Sequence, residues 1–359
     1  MRTPVIVITG TDRAAMDSAM VAVLWDLPSA VAVAHRINPT AQVLTRVVSD
    51  SSGVIEREDI PLEHACISCA LREDIVPTLE RLARDGRWRT IVSCLPIAAE
   101  AEQLGTLLTR DPRLARHLRL SAVIAAAESE GLAADLLGDD LLRERDLHSS
   151  PDDDRGLGEA QSSLIEYADL VVLASPPDPR THDLVHALAR PDALVVIGSE
   201  NIVASSLASI RHQHATAMAW RIPVTNARMP ALGSSHAWRI DLSSTRPFHP
   251  ERLVDQISRL GSGAHRSRGC FWLPTRPGLL AQWEGAGGQL SIGPHSPMGH
   301  RRPLTRLIFT GLDPIPAGLV DAFDELLLTP VEESTAAARS WHVAEDGLEP
   351  WLGDIHEAA

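Results

Sequence analysis

The stretch that decides the fold is Val5-Ile-Val-Ile-Thr-Gly10, near the start of a chain of 359 residues. Four consecutive β-branched apolar residues before a glycine are typical of a buried parallel strand that turns directly into a helix. Similar runs follow, separated by helical stretches, at residues 30–34, 90–94, 121–125, 170–173 and 193–197. This alternation predicts an α/β domain with a doubly wound, mostly parallel sheet.

The composition of the chain changes after this domain, which we assign to residues 1–210. Residues 211–235 lack clear periodicity and are predicted to form a connection. From His236 onward Trp, Gly and Pro concentrate and short strand-like runs lie close together. These features predict a smaller α+β domain over residues 236–335. Residues 336–359 are acidic and predict a partly docked tail.

The charge and the N-terminus restrict the partners and the compartment. The chain has 33 basic and 47 acidic residues, a net charge of −14, which disfavours binding to DNA and other phosphate backbones. The apolar run at the N-terminus is too short to span a bilayer, so no membrane partner is expected. A cytoplasmic location is therefore predicted. In a reducing compartment, a close cysteine pair indicates metal or redox chemistry.

The sequence contains no lysine, because all 33 basic residues are arginines. A Walker A loop holds the β- and γ-phosphates with a lysine, and the Asn-Lys-x-Asp motif that reads guanine needs another. Hydrolysis of a nucleoside triphosphate by the P-loop mechanism is therefore not expected. The loop after the first strand offers Gly10 and Arg13 as weak candidates for a phosphate contact. Asp12 and Asp17 would repel polyphosphate, so a plain connection is favoured and GTP is not an expected cofactor.

The strongest chemical motif is Cys66-Ile-Ser-Cys69. Two thiolates at this spacing can bind one tetrahedral zinc ion at about 2.3 Å, but they supply only half of its ligands. His64 and Glu63 lie just before the pair and are candidate further ligands. A redox dithiol, or two small buried cysteines at a helix start, remain alternatives.

A group of arginines in the second half offers a candidate contact surface. Its members are Arg266, Arg268, Arg301, Arg302 and Arg306, and tryptophans lie nearby in sequence. Arginine beside aromatic residues can bind RNA or a protein partner. The alternative is that these arginines are the solvated face of a strand.

Several motifs resemble those of CobW-type GTPases. Ala65-Cys-Ile-Ser-Cys-Ala-Leu-Arg-Glu-Asp74 is similar to the family's Gly-Cys-x-Cys-Cys-Thr-Leu-Arg-Glu-Asp. Arg246-Pro-Phe-His-Pro-Glu-Arg-Leu253 and Arg268-Gly-Cys-Phe-Trp-Leu-Pro-Thr-Arg-Pro277 resemble the CobW C-terminal domain. The resemblance covers nearly the whole chain. It implies a P-loop-NTPase-like α/β domain followed by a smaller α+β CobW C-terminal domain.

The chain departs from the family pattern at each part of the nucleotide site. Met16 stands at the position of the Walker lysine and Asp17 at that of the first threonine. Cys94-Leu-Pro-Ile97 replaces Glu-x-x-Gly, Ala174-Ser-Pro-Pro-Asp178 replaces the guanine-reading motif, and Ser68 replaces the middle cysteine. The residues that would bind the phosphates, bind magnesium and recognise guanine are therefore all replaced, which indicates a pseudoenzyme.

Within the family, the sequence is most similar to an actinobacterial branch that recruits a ribosome-hibernation factor during zinc starvation. The resemblance implies a non-hydrolysing adaptor in the stress response and translation regulation, with that factor and the small ribosomal subunit as partners. Cys66 and Cys69 would report zinc, and the arginines near Arg301 would contact the ribosome. The alternatives are a zinc metallochaperone of the CobW type and a residual GTP-binding protein that uses Arg13 and backbone amides.

Overall fold

A computed structural model of the chain describes residues 2–225, 227–233, 235–297, 303–338, 341 and 343–355. The chain divides into two compact units. The N-terminal unit comprises Met1–Ala133 and Asp140–Met218, and the C-terminal unit comprises Ala134–Asp139 and Ala219–Ala359. The division after Met218 falls inside residues 211–235, and a helix, His214–Arg221, occupies part of that stretch.

The N-terminal unit is built on one eight-stranded sheet. Its strands are β1 Thr3–Gly10, β2 Ala30–Asn38, β3 Val43–Asp50, β4 Gly53–Pro61, β5 Thr90–Cys94, β6 Leu118–Ala127, β7 Leu170–Leu173 and β8 Leu194–Ile197. Their order is β4-β3-β2-β5-β1-β6-β7-β8, and every neighbouring pair from β2 to β8 is parallel. All six predicted runs are strands, so the doubly wound, mostly parallel fold is confirmed.

The central strands and the edge strands differ in burial. Residues Val5 to Ile8 of β1 are fully buried, because β5 and β6 flank the strand and helices cover the sheet. The two strands that the sequence did not predict, β3 and β4, pair antiparallel at the sheet edge. Strand β4 is largely exposed, so it carries charged residues where a buried strand carries apolar ones.

Helices lie between the strands of this unit. They are α1 Arg13–Asp26, α2 Ile67–Ala70, α3 Val76–Asp85, α4 Ala101–Arg110, α5 Leu114–His117, α6 Leu132–Leu137, α7 Leu157–Tyr167, α8 Pro179–Leu188, α9 Ala204–Ser209 and α10 His214–Arg221. A π-helical turn, Leu71–Ile75, joins α2 to α3. Pro77 lies in the first turn of α3, where a missing backbone N–H costs little.

The C-terminal unit is an antiparallel sheet with helices, as predicted for the α+β domain. Its strands are β9 Ala237–Ser244, β10 His265–Phe271, β11 Leu279–Ala286, β12 Gln289–Pro297 and β13 Thr305–Leu312, in the order β12-β11-β10-β13-β9. Its helices are α11 Pro250–Gln256, α12 Ser258–Gly261, α13 Leu319–Leu326, α14 Pro330–Ala338 and α15 Glu349–Leu352. Phe248, Phe271, Trp283, Phe309 and Phe323 are central members of its apolar core.

The predicted arginine surface is wrong for the members that the structure describes. Arg266 is fully buried and pairs with Glu284. Arg268 is buried with its guanidinium 4.9 Å from the ring centre of Trp220. Arg306 is buried and binds Asp241 at 2.6 Å. Strand β10 lies inside the sheet and is buried along its whole length, so its arginines are interior residues; Arg301 and Arg302 lie outside the described residues.

The described part of the acidic tail packs on the C-terminal unit. The Asp346 carboxylate accepts hydrogen bonds from Thr275 at 2.7 Å and from the Arg276 guanidinium at 2.9 Å. Leu348 and Leu352 join the apolar core. One buried ion pair and two leucines therefore hold this segment in place.

Candidate metal centre

Among the described residues, His64, Cys66 and Cys69 form a group that could hold a metal ion. Their ligand atoms all lie within 4.8 Å of one another. Cys66 is the N-cap of α2, and its sulfur accepts a hydrogen bond from the backbone N–H of Cys69 at 3.2 Å. Cys69 is three residues further on and therefore lies on the same side of the first helical turn. The local helix start thus brings both sulfurs together.

Buried apolar residues fix the orientation of this segment. Ala65, Ile67 and Ala70 alternate with the ligands and are almost fully buried. The two cysteines are only partly buried, and the His64 side chain is 56% exposed. The segment therefore presents its sulfurs and imidazole toward solvent while its apolar side packs on the domain.

The two thiols have different proton affinities. Burial favours the neutral thiol of Cys66, but hydrogen bonds from Cys69 and His64 outweigh it and lower the pKa of Cys66. The hydrogen bond that Cys69 donates to Cys66, together with burial, raises the pKa of Cys69. One thiol thus ionises more readily than the other. Binding of a metal by both sulfurs would release the remaining proton.

The donors fit a zinc ion. Ligands that bind tetrahedral zinc at about 2.0–2.3 Å lie about 3.3–3.8 Å from one another. The three donor atoms, all within 4.8 Å of one another, reach that spacing with small side-chain rotations. Two thiolates and an imidazole are also the ligand types that zinc selects, whereas magnesium and calcium prefer oxygen.

The structure does not group the acidic candidate from the sequence, Glu63, with the cysteines. Glu63 is exposed on the loop before the cysteines and is not a member of the group found in the described chain. A different carboxylate, Asp152, approaches instead, with its Oδ2 4.0 Å from Nε2 of His64. Asp152 lies in the loop before α7. Nothing local in the sequence connects that loop with the cysteines.

The side chains that follow β1 make local contacts in place of a phosphate-binding arrangement. The Asp12 carboxylate caps α1 by accepting a hydrogen bond from the N–H of Ala15 at 2.7 Å. Helix N-termini bind phosphate through these same N–H groups, and a carboxylate there repels a second anion. Met16, which stands at the lysine position of the family pattern, is fully buried in the apolar core.

Gly10 and Arg13, the residual nucleotide candidates, have local structural roles. A Cβ at Gly10 would lie 2.2 Å from the carbonyl oxygen of Ala126, so the strand packing requires glycine. Burial, and then the neighbouring charge of Arg36, lower the pKa of Arg13. Arg36 itself binds Asp17 at 3.1 Å. Arg13 therefore shares its surroundings with another cation and a carboxylate.

The residue at the guanine-reading position is also engaged locally. Asp178 caps α8, and its carboxylate accepts hydrogen bonds from the backbone N–H groups of Arg180 and Thr181. It also accepts the Thr181 hydroxyl proton at 2.5 Å. A carboxylate that satisfies a helix N-terminus in this way is not directed at a base.

Comparison with known proteins agrees with this architecture. The model of the cobalamin synthesis protein cobW C-terminal domain matches residues 238–327. A Mycobacterium tuberculosis protein named zinc chaperone is 24% identical over 99% of this chain and 96% of its own length. Zinc-regulated GTPase metalloprotein activator 1 of Dictyostelium discoideum is 19% identical over 65% of this chain and 53% of that protein. The crystal structure of Zn(II)-bound YjiA GTPase from E. coli has 14% identity and a TM-score of 0.33, over 91% of this chain and 99% of that chain.

The chain thus combines a mostly parallel α/β domain, which carries a candidate metal centre at His64, Cys66 and Cys69, with a C-terminal domain similar to that of cobW. The relative named zinc chaperone extends the similarity over nearly the whole chain. Within the described residues, the helices are too short or too polar to cross a membrane.

Proposed function

We propose that this protein is a zinc metallochaperone that binds the ion at His64, Cys66 and Cys69 and passes it to a client protein. The observation that carries the proposal is the clustering of three zinc-type donors in an accessible position. The names of the relatives, a zinc chaperone and a zinc-regulated metalloprotein activator, support it.

Accessibility distinguishes a transfer site from a structural one. Structural zinc sites are closed by four protein ligands, whereas sites that exchange a ligand keep a position open. His64 is more than half exposed here, and both cysteines are partly exposed. An incoming thiolate or imidazole of a client can therefore reach the ion while the cysteines still hold it. The thiols must stay reduced for this, which suits the cytoplasm.

Nucleotide does not drive the transfer in this proposal, because the Asp12 carboxylate caps the N-terminus of α1 and Met16 is buried in the core where the family pattern has its lysine. We expect GTP, GDP and ATP with magnesium, each at about 1 mM, to leave the thermal unfolding midpoint unchanged within about 1 °C. A ligand at a hundred times its dissociation constant would stabilise the fold by about 2.7 kcal/mol and raise the midpoint clearly. Such a rise would support the residual GTP-binding alternative.

Zinc affinity tests the proposed site directly. Structural zinc binding contributes about 10–16 kcal/mol over four ligands, so each ligand contributes about 3 kcal/mol. We therefore expect Cys66→Ala to weaken zinc binding about 100-fold. Competition with a chromogenic chelator, under reducing conditions, measures the change.

Ser68→Ala is the matched control for this experiment. Ser68 lies between the two cysteines on the same short helix, is exposed, and makes only a long hydrogen bond of 3.4 Å to Gln103. Its removal should leave zinc affinity unchanged. Equal affinities for Cys66→Ala and the unaltered protein would show that zinc binds elsewhere and would overturn the proposed site.

A second candidate function is the non-hydrolysing adaptor that would recruit a ribosome-hibernation factor to the small ribosomal subunit when zinc is depleted. The observation that favours it is the Asp12 carboxylate at the N-terminus of α1, which disfavours phosphate there, since an adaptor needs no nucleotide cycle. Affinity capture of the tagged protein from zinc-starved cells separates the two functions. Enrichment of ribosomal proteins with a hibernation factor supports the adaptor, and recovery of a zinc enzyme with ribosomal proteins at background supports the chaperone.

A further inference from the structure

We infer that Asp152 supplies a fourth ligand, so that the complete metal site is His64, Cys66, Cys69 and Asp152. This inference rests on the proposed zinc site and adds a residue from a distant loop to it. Oδ2 of Asp152 is 4.0 Å from Nε2 of His64. Asp152 lies outside the three-donor group, so its carboxylate must also rotate toward the cysteine sulfurs. An oxygen and a nitrogen bound to the same tetrahedral zinc are about 3.3 Å apart, so the separation from His64 needs to shorten by less than 1 Å.

Asp152 is free to make this movement. Its side chain is 87% exposed and contacts His64. A shift of the carboxylate toward the ion therefore breaks no buried interaction. His64 is itself more than half exposed, so the imidazole can rotate toward the cysteines at the same time.

The loop that carries Asp152 is held in place by its neighbours. The adjacent Asp153 is buried, accepts the backbone N–H of Ser149 at 3.1 Å and binds the Arg155 guanidinium at 2.8 Å. Arg155 also donates to the carbonyl of Ala98 at 3.1 Å. On the other side, Asp154 pairs with Arg143. Of three consecutive aspartates, two are engaged in fixing the loop, and the remaining one faces His64.

The chemistry of this ligand set suits transfer. Carboxylate oxygen is a harder ligand than thiolate and binds zinc less selectively. Asp152 is therefore the ligand that an incoming thiolate of a client replaces first: the Zn–O bond breaks as the new Zn–S bond forms. His64 and the two cysteines keep the ion bound during that exchange. Asp152 would thus close the site when no client is present.

A gain of signal tests direct ligation. In the Co(II)-substituted protein, the sulfur-to-cobalt charge-transfer absorption scales with the number of bound thiolates. Asp152→Cys offers a third thiolate, so we expect the absorption per bound cobalt to rise by about half, as three thiolates replace two. Asp152→Asn should weaken zinc binding about 10-fold or more, the range found when groups that support a metal site are removed.

Pro151→Cys is the matched control, because it adds a thiol at an exposed position of the same loop, one residue away. Its absorption per bound cobalt should equal that of the unaltered protein. If Asp152→Cys also shows no gain, the carboxylate is at most a hydrogen-bond partner that orients His64, and the inference is overturned while the three-residue site stands. If the unaltered protein shows no thiolate-to-cobalt absorption, the proposed zinc site itself is wrong.

Discussion

Replacing Glu284 with alanine is expected to lower the free energy of unfolding by about 3–5 kcal/mol. Glu284 pairs with the fully buried Arg266, and its other oxygen lies 3.7 Å from the partly buried guanidinium of Arg221. Removal of one carboxylate therefore leaves two cations in the interior. The guanidinium of Arg266 keeps long hydrogen bonds to backbone carbonyls, at 3.4 and 3.5 Å, which place the expected loss at the lower end of that range.

Urea unfolding, followed by tryptophan fluorescence to which the buried Trp238 and Trp283 contribute, measures this loss. Two further variants separate the lost charge from lost packing. The double variant Arg266→Met with Glu284→Leu removes both charges and should recover most of the stability. Glu325→Ala breaks the exposed pair with Arg259 and should change stability by less than about 1 kcal/mol. A loss for Glu284→Ala as small as that of Glu325→Ala would contradict the prediction.

Most of the strands predicted from sequence in the N-terminal unit are buried on both faces, and the exception is β8, which is partly exposed. Residues Val5 to Ile8 have one apolar side chain after another because β1 is covered on both faces. Strands β3 and β4 were not predicted because they lie at one edge of the sheet, and exposed residues such as Glu58 and Asp59 interrupt their apolar pattern. The pairing of strands at the sheet edge depends on contacts with the rest of the sheet, which a local sequence pattern does not contain.

The arginines show a second limit of local patterns. A charged residue in a strand predicts a solvated face unless its counter-ion is known. Arg266 and Arg306 are interior because Glu284 and Asp241, on neighbouring strands, neutralise them. The partner of each arginine is set by strand pairing and not by sequence proximity.

The ligands of the candidate metal site were likewise only partly predictable from the sequence. His64, Cys66 and Cys69 lie within six residues, so their spacing alone suggested a shared ion. Glu63 has the same proximity in sequence, but it is exposed and the described chain groups it with no other donor. Asp152 comes from a distant loop whose position depends on buried contacts of Asp153 and Arg155. Only the fold brings its carboxylate to His64.

A buried ion-pair network begins in the π-helical turn that follows this site and connects the turn with the sheet. Asp74, in the π-helical turn after the cysteines, accepts a hydrogen bond at 2.9 Å from His35 of β2. It also pairs with Arg46 of β3, which reaches Glu58 of β4 as well. His35 is fully buried, and the Arg46 side chain is only 11% exposed. The Asp74 carboxylate thus fixes the turn that follows Cys69 to β2 and β3, and Arg46 extends the connection to β4.

Asp74→Ala is therefore expected to cost about 3–5 kcal/mol in unfolding free energy, because it leaves Arg46 buried without this partner. It should also weaken zinc binding about 10-fold, since the turn that positions Cys69 loses its anchor. The control is Glu73→Ala, which removes the adjacent carboxylate and its pair with the exposed Arg72. A variant that loses stability but keeps full zinc affinity would show that the network does not position the site.

The same network predicts loss of stability in acid. Burial, which outweighs the attraction of Asp74, lowers the pKa of His35 below its ordinary value of 6.5. Asp74 also has a lowered pKa, because His35 and Arg46 together outweigh the effect of its burial. A group whose pKa is lower in the folded state stabilises the fold above its unfolded pKa, and that stability is lost as the pH falls. Unfolding free energy should thus decrease below about pH 6.5 as unfolded His35 takes up a proton, and again below the ordinary pKa of aspartate, 3.8. In His35→Gln the first decrease should be smaller, since a neutral amide has no proton to take up. If unfolding free energy falls as steeply between pH 7 and pH 5 in this variant as in the unaltered protein, the decrease comes from the other histidines.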